Sequence, residues 1–243
     1  MYNVRWRMHL VNQRSISDFG NEIRNRNSDI FPVSRLKSLR MIIKDAIIFL
    51  IPLFLLTALS FGLGMPLAGI FLLLLSAFVA FFFRNPRRVI PEDPKVIVSP
   101  ADGRVVKVER VGHVTKLSIF LSIFNVHVNR SPMRGRIEAM DYRPGRFRAA
   151  FNHAASVENE RNIIMLSQGN IKLVFTQIAG LVARRIVCWK KVGDVVEKGE
   201  LVGLIRFGSR VDVLFPAGTE VTVQIGDRVR GGSSPIGVIV EGR

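Results

Sequence analysis

The stretch Gly193-Asp194-Val195-Val196-Glu197-Lys198-Gly199, followed by Leu201-Val202-Gly203-Leu204-Ile205, has an echo thirty-three residues on. There the chain reads Gly226-Asp227-Arg228-Val229-Arg230-Gly231-Gly232, then Ile236-Gly237-Val238-Ile239. Gly-Asp-x-Val-x-x-Gly before a Gly-bounded apolar run suits a tight turn feeding a strand. Glycine supplies the positive φ, and aspartate can bond its own backbone two residues on. Working outward, Val96–Val98, Val105–Val108, Lys116–Ile123, Lys172–Ile178 and Val211–Phe215 are short and rich in Val, Ile and Phe, with Gly, Pro and Asp between them. That punctuation predicts a mainly β domain after Pro91, a barrel or a sandwich, with one brief helix over roughly Ala155–Arg161.

The echo resembles the repeat of lipoyl-type barrel-sandwich domains. Its second copy holds Gly231-Gly232-Ser233-Ser234-Pro235 where the first has Glu200 and Leu201. In a constrained turn a serine hydroxyl can attack the preceding glycine carbonyl. The amide becomes an ester, which eliminates to dehydroalanine and hydrolyses to a pyruvoyl group. Composition alone also allows a plain loop here.

Upstream of the β domain the chain changes character twice. Residues 1–45 are polar and basic, and they lack the layout of a secretory signal. From Ala46 to Phe83 there is no charged residue, and Gly62, Gly64 and Pro66 break the run into arms Ala46–Phe61 and Leu67–Phe83. Each arm falls a little short of the roughly 20 residues that cross a bilayer as a helix. The readings are a membrane hairpin, a shallow re-entrant insertion or a buried helical pair. Lys37, Arg40 and Lys44 before the run, and Arg84, Arg87 and Arg88 after it, favour a hairpin with both ends and the β domain on the cytoplasmic side of the cell membrane.

The whole-chain numbers agree with a membrane surface. A net charge of +16 would suit a nucleic-acid binder, but 48% hydrophobic residues and 17 phenylalanines do not. Mean hydropathy is +0.26. The single cysteine, Cys188, excludes a disulfide framework and any multi-cysteine metal site, and no metal is expected.

Longer motifs carry a resemblance to a family. Phe83-Arg84-Asn85-Pro86-Arg87-Arg88, Ser99-Pro100-Ala101-Asp102-Gly103, Asn125-Val126-His127-Val128-Asn129-Arg130 and Asn159-Glu160-Arg161 belong to it. So do Ile178–Ile186, Gly203–Asp212 and the terminal Gly232-Ser233-Ser234. From about Lys44 to Gly237 the chain resembles the phosphatidylserine decarboxylases, in particular their short bacterial and archaeal type. The resemblance implies self-cleavage between Gly232 and Ser233 into a β chain, 1–232, and an α chain, 233–243. Ser233 would become the pyruvoyl cofactor at the α-chain terminus. It implies an Asp–His–Ser relay, carried here by Asp102, His127 and Ser233, in which His127 takes the hydroxyl proton and Asp102 fixes the imidazole tautomer.

Decarboxylation in the family runs through a Schiff base between the pyruvoyl carbonyl and the amine of phosphatidylserine, releasing CO2 and phosphatidylethanolamine for phospholipid biosynthesis. Larger members carry a second histidine three residues before the relay histidine. This chain has Phe124 there, leaving His127 or an ordered water as proton donor. The implied partners are the lipid and the chain's own cleavage products as an α/β heterodimer, with further homo-oligomerisation open and no nucleic acid.

The implied organisation is a basic segment 1–45, an apolar hairpin 46–83 and a decarboxylase domain 84–243. Arg134, Arg136, Arg143, Arg146 and Arg148 form a basic cluster that could meet a lipid phosphate, or a solvated face. His9, His113 and His153 have no relay role, Cys188 reads as a core thiol, and Lys198 lacks the turn-tip setting of a swinging-arm lysine. A membrane-anchored adaptor without catalysis is the competing class, and it would keep one full-length chain.

Overall fold

The charge-free run Ala46–Phe83 forms the arms of two helices. The computed structural model describes residues 30–145, 159–180, 185–206 and 208–240. Contacts divide the chain between Arg40 and Met41, and the hairpin and β domain below lie in the unit Met41–Arg243. Helix α1 spans Ile30–Gly62 and helix α2 spans Pro66–Phe82. The break between them is chemical. Gly64 takes φ 71°, and Pro66 begins α2, where a missing N–H costs nothing.

Within α1, Lys44–Gly62 is 19 residues long with mean hydropathy 2.1 and is 11% buried, so this arm is long and apolar enough to cross a membrane. The 17 residues of α2 rise about 25 Å, less than a bilayer core. Only the lower ends of the helices pack inward. Ala46, Val79, Phe82 and Phe83 meet Val126 and Leu204 of the β domain. Arg206 bonds Asp45 at 2.9 Å and lies over the Phe49 ring.

The β domain has fourteen strands among the described residues. In chain order they are β1 Val96–Val98, β2 Gly103–Val111, β3 Val114–Leu121, β4 Val128–Arg130, β5 Gly135–Arg143, β6 Arg161–Gln168 and β7 Ile171–Ala179. There follow β8 Ile186–Cys188, β9 Val195–Val196, β10 Leu201–Ile205, β11 Ser209–Leu214, β12 Thr219–Val221, β13 Arg228–Val229 and β14 Pro235–Ile239. Eight of them form a curled sheet in the order β13-β2-β3-β11-β7-β6-β5-β9, and two three-stranded sheets, β1-β14-β12 and β4-β10-β8, complete the fold. The architecture is mainly β behind a helical pair, as the sequence predicts. Phe175, Leu117, Ile137, Val211 and Phe215 fill the core.

The echo is a structural duplication. Gly193 and Gly226 have φ of 93° and 101°, and Gly199 and Gly232 have 76° and 78°. Gly193 N–H donates to Ile137 O and Gly226 N–H to Val105 O, both at 2.8 Å. The aspartates act three residues backwards rather than two forwards: the Asp194 carboxylate accepts from Lys191 N–H and that of Asp227 from Gln224 N–H, both at 2.9 Å. Each copy extends further upstream than the echo suggested. Ser99-Pro100-Ala101-Asp102-Gly103-Arg104 pairs with Ser131-Pro132-Met133-Arg134-Gly135-Arg136. Val98 N–H donates to Pro132 O and Arg130 N–H to Pro100 O, a reciprocal pair at 2.9 Å.

The brief helix expected near Ala155–Arg161 is corrected at its described end. Residues 155–158, like Arg146, Arg148 and His153, lie outside the described residues. Asn159 and Glu160 instead bond the edge of β7: the Asn159 amide donates to Ala179 O at 2.7 Å, and Ala179 N–H donates to Glu160 O at 2.9 Å. Arg161 then opens β6 opposite Ile178, and sheet pairing outweighs the local helical tendency.

Phe175 tests the core. Phe175→Ala empties a fully buried site among both halves of the sheet and is expected to cost about 3–5 kcal/mol in a urea melt, whereas Val106→Ala, on a half-exposed face, should cost under about 1.

Candidate functional site

The turn that ends the second copy differs from its sister by one residue. In the first copy Gly199 N–H donates to Ser131 O, and Ser131 N–H donates to Glu200 O, the very next residue. In the second copy Gly232 N–H donates to Ser99 O, but Ser99 N–H donates to Ser234 O, all at 2.8 Å. Strands β10 and β14 both carry a bulge further on, at corresponding register shifts, so the bulge does not absorb the difference. The extra residue is Ser233.

Hydrogen bonds fix the backbone on both sides of it. Gly231 N–H is held by Asp102 Oδ1 at 2.7 Å, and Ser233 and Ser234 N–H both reach Arg230 O, at 3.1 and 3.0 Å. Arg230 N–H in turn reaches Ser234 Oγ at 2.9 Å. The Gly232 carbonyl accepts none of the bonds among the described residues. Gly232 also has no room for a side chain, because a Cβ there would lie 2.8 Å from Arg130 Cδ.

Asp102 leaves the Ser-Pro-Ala-Asp-Gly turn just before β2. Its carboxylate takes both bonds of Arg88 Nη2, at 2.9 and 2.7 Å, and the two side chains are only 13% and 10% exposed. Removing one partner of a pair so buried typically costs about 3–5 kcal/mol, since it leaves the other charge uncompensated.

His127 sits elsewhere. It is 1% exposed, under the Phe82 ring at 4.1 Å between centroids. Its Nδ1–H donates to Asn125 O at 3.0 Å, and its Nε2 accepts from Gly208 N–H at 3.3 Å. A carbonyl can only accept and an amide N–H only donate, so two backbone groups set the neutral Nδ1–H tautomer. Burial drives its pKa down to about 4; the bond to Asn125 opposes that shift and Arg84 adds to it. The structure thus brings Asp102 to the Gly231–Ser233 turn, while the bonds of His127 go to Asn125 and Gly208.

Ser233 and Asp102 share the wall of an open cleft of about 930 Å³ with Ser122, Phe124 and Asn125. Three arginines line it, Arg104, Arg228 and Arg230. Sequence reasoning missed them, although Arg228 and Arg230 stand inside the quoted repeat and Arg104 follows Asp102-Gly103. The described members of the other basic cluster, for which lipid phosphate and a solvated face were both open, have protein partners. Arg134 pairs with Glu197 at 3.4 Å, Arg143 with Asp141 at 2.7 Å, and Arg136 donates to Gly193 O at 3.3 Å.

The comparisons with known proteins coincide with this site. The sequence model for phosphatidylserine decarboxylase matches residues 75–237, which include the end of α2, the cleft and the Gly232-Ser233 turn. The chain is 50% identical over 179 residues to the phosphatidylserine decarboxylase proenzyme of Carboxydothermus hydrogenoformans, covering 70% of this chain and 84% of that protein. It is 47% identical over 195 residues to that of Solibacter usitatus, covering 80% and 95%. For Syntrophus aciditrophicus the figures are 46% over 195 residues, 73% and 92%.

The chain belongs to the phosphatidylserine decarboxylase family. By that membership it is a carboxy-lyase that begins as a proenzyme. A pyruvoyl group made from the chain fits the residues present. Ser233 follows a glycine whose carbonyl accepts no hydrogen bond among the described residues, and it lines the cleft. Two other nucleophiles among the described residues are set otherwise. Burial raises the pKa of the Cys188 thiol, and Lys198 donates to Asp93 O. Among the described residues no group of three or more His, Cys, Asp or Glu could hold a metal.

The depressed pKa of His127 gives a signed expectation. An unfolded histidine takes its proton near 6.5 and the folded one near 4, so between those values only the unfolded chain is protonated. The stabilisation is complete above pH 6.5 and is lost as pH falls to 4, by up to about 3 kcal/mol. Urea melts at pH 7 and 4.5 should show that loss in the native sequence and a smaller one in His127→Gln; equal losses would mean that His127 titrates normally.

Proposed function

We propose that this chain cuts itself between Gly232 and Ser233 and then converts phosphatidylserine to phosphatidylethanolamine and CO2 at the new terminus. The observation that carries the reading is Ser233 itself: an inserted residue beside an unengaged glycine carbonyl, in the wall of an arginine-lined cleft. In the first step Ser233 Oγ attacks the Gly232 carbonyl carbon, the C–N bond breaks and the Ser233 nitrogen takes the proton, giving an ester. Loss of the Ser233 Cα proton then expels the Gly232 carboxylate. Water replaces the nitrogen as ammonia, leaving a β chain of 1–232 and an α chain of 233–243 with a pyruvoyl terminus. The two products stay together as a heterodimer, because β14 of the α chain pairs with β1 and β12 of the β chain.

Asp102, His127 and Ser233 remain the residues assigned to this step. Asp102 fixes the Gly231 peptide beside the reacting carbonyl. His127 is a free base at neutral pH, and as base for the Ser233 proton its Nε2 must leave Gly208 N–H and its ring must approach the turn. The bound pyruvoyl supplies a ketone that condenses with the serine amine and draws off the electrons released with CO2. Arg104, Arg228 and Arg230 hold the lipid phosphate by charge-assisted hydrogen bonds. The divisions 1–45, 46–83 and 84–243 then serve as basic segment, membrane hairpin and cytoplasmic decarboxylase domain.

Intact mass analysis tests the cleavage and the cofactor together. The native sequence should give two chains with an amine-free α-chain terminus, and reduction with borohydride in the presence of phosphatidylserine vesicles should add the lipid to the α chain. Ser233→Ala should stay one chain and lose all activity. Decarboxylation by uncleaved Ser233→Ala would overturn the mechanism.

A further inference from the structure

Between the end of α2 and β1 the chain runs without regular structure, and at Asn85–Arg88 it reaches the scissile turn by two routes. The first is the Arg88 guanidinium on both oxygens of Asp102, whose Oδ1 holds Gly231 N–H. The second is Asn85 Oδ1, which accepts from Arg130 Nη2 at 2.6 Å. Arg130 Nη1 donates to Gly199 O at 2.8 Å, and its stem presses on Gly232. Arg130 thus touches both sister turns, and Arg88 commands only the reactive one.

The duplication supplies an internal control. The Gly199 turn has the same φ, the same bond to a Ser-Pro serine and the same strand behind it, and it shares Arg130, yet it lacks the Arg88–Asp102 support. Its counterpart of Asp102 is Arg134, which reaches Glu197 only loosely at 3.4 Å. A Cβ at Gly199 would meet the Ile90 side chain, not an anchored guanidinium. The turn therefore forms without an Arg88–Asp102 pair, and that pair is present only where Ser233 has been inserted.

Resting on the proposed cleavage at Gly232–Ser233, we propose that Arg88 and Arg130 are positioning residues for that cleavage, which makes Asn85–Arg88, the exit of the apolar hairpin, part of the processing machinery. Neither arginine exchanges a proton. Arg88 orients Asp102, Asp102 fixes the Gly231 peptide, and the Arg130 stem fills the space beside Gly232, so that the carbonyl carbon stands still while the Ser233 hydroxyl turns onto it. The amide-to-ester shift is the step that depends on this alignment.

The test follows the full chain, synthesised in the presence of phospholipid vesicles, from one band to two. Arg88→Ala should slow processing roughly ten- to a hundredfold, methylguanidinium should restore part of the rate, and hydroxylamine, which cuts esters, should release no extra β chain. Asn85→Ala and Arg130→Lys should slow it less. In a Ser233→Ala background, where nothing is cleaved, Asn85→Ala should leave the melting temperature unchanged. Native rates in all three variants would overturn the proposal. So would slow processing that tracks a lowered melting temperature and resists methylguanidinium, which is the signature of a merely structural role. A native chain that stays one band would overturn the cleavage reading itself, whereas a native chain that cuts beside an equally fast Arg88→Ala would overturn only this inference.

Discussion

The reciprocal hydrogen bonds from Val98 N–H to Pro132 O and from Arg130 N–H to Pro100 O join the two copies of one supersecondary unit back to back. Each copy is too small to bury its own apolar face. Joined, they share one core, in which Ile97, Val105 and Phe215 pack with Ile137 and Val196. The join also sets the chemistry, because it fixes the two Ser-Pro turns whose serine carbonyls hold Gly199 and Gly232. A frame satisfied twice over by backbone hydrogen bonds can accept one surplus residue without losing its register. That surplus residue, Ser233, is where the structure departs from its own repeat.

Much of the fold was legible because its signals are local. The Gly-Asp repeat marks turns whose glycines take positive φ, and the charge-free run marks the helical pair through hydropathy alone. The end of the brief helix, Asn159–Arg161, is not helical because Asn159 and Glu160 answer to β7, which sequence periodicity cannot see. The upstream half of the duplication was also missed. Its Ser-Pro-x-x-Gly-Arg signature is short, and the two copies are joined by contacts between turns rather than by hydrophobic pattern. In the site, Ser233 and Gly232 were readable as a motif, while the partners of Asp102 and His127 were not. A carboxylate and an imidazole suggest a relay wherever they share a fold, but only geometry shows that Arg88 and Gly231 take the first and that Asn125 and Gly208 take the second.

The placement of charge follows the same logic. Among the described residues, many arginines and lysines with a carboxylate close by are paired, including Arg134 with Glu197, Arg143 with Asp141, Arg206 with Asp45 and Arg88 with Asp102. Arg104, Arg228 and Arg230 stand exposed along the open cleft instead. An exposed ion pair contributes about 0–1 kcal/mol, so little stability is forgone by leaving a guanidinium for a ligand. Among the described residues, arginines thus stand both beside the Ser233 turn and at the hairpin exit.

One link joins that exit to the cleft. Arg84, the first residue past the hairpin, donates to Phe81 O at the end of α2 and to Phe124 O at 2.6 Å, at the tip of the β3–β4 turn. Phe124 is 64% exposed and lines the cleft, and its neighbour Ile123 is also exposed. Two bare apolar side chains would be a liability on a face turned to water, yet one guanidinium ties them to helices whose apolar flanks are bare as well. The rim of the cleft is therefore tied to the end of the apolar hairpin. A lipid held by its acyl chains beside those helices would need to lift only its headgroup to reach Ser233, and the acyl chains could stay in the bilayer while the carboxylate is lost.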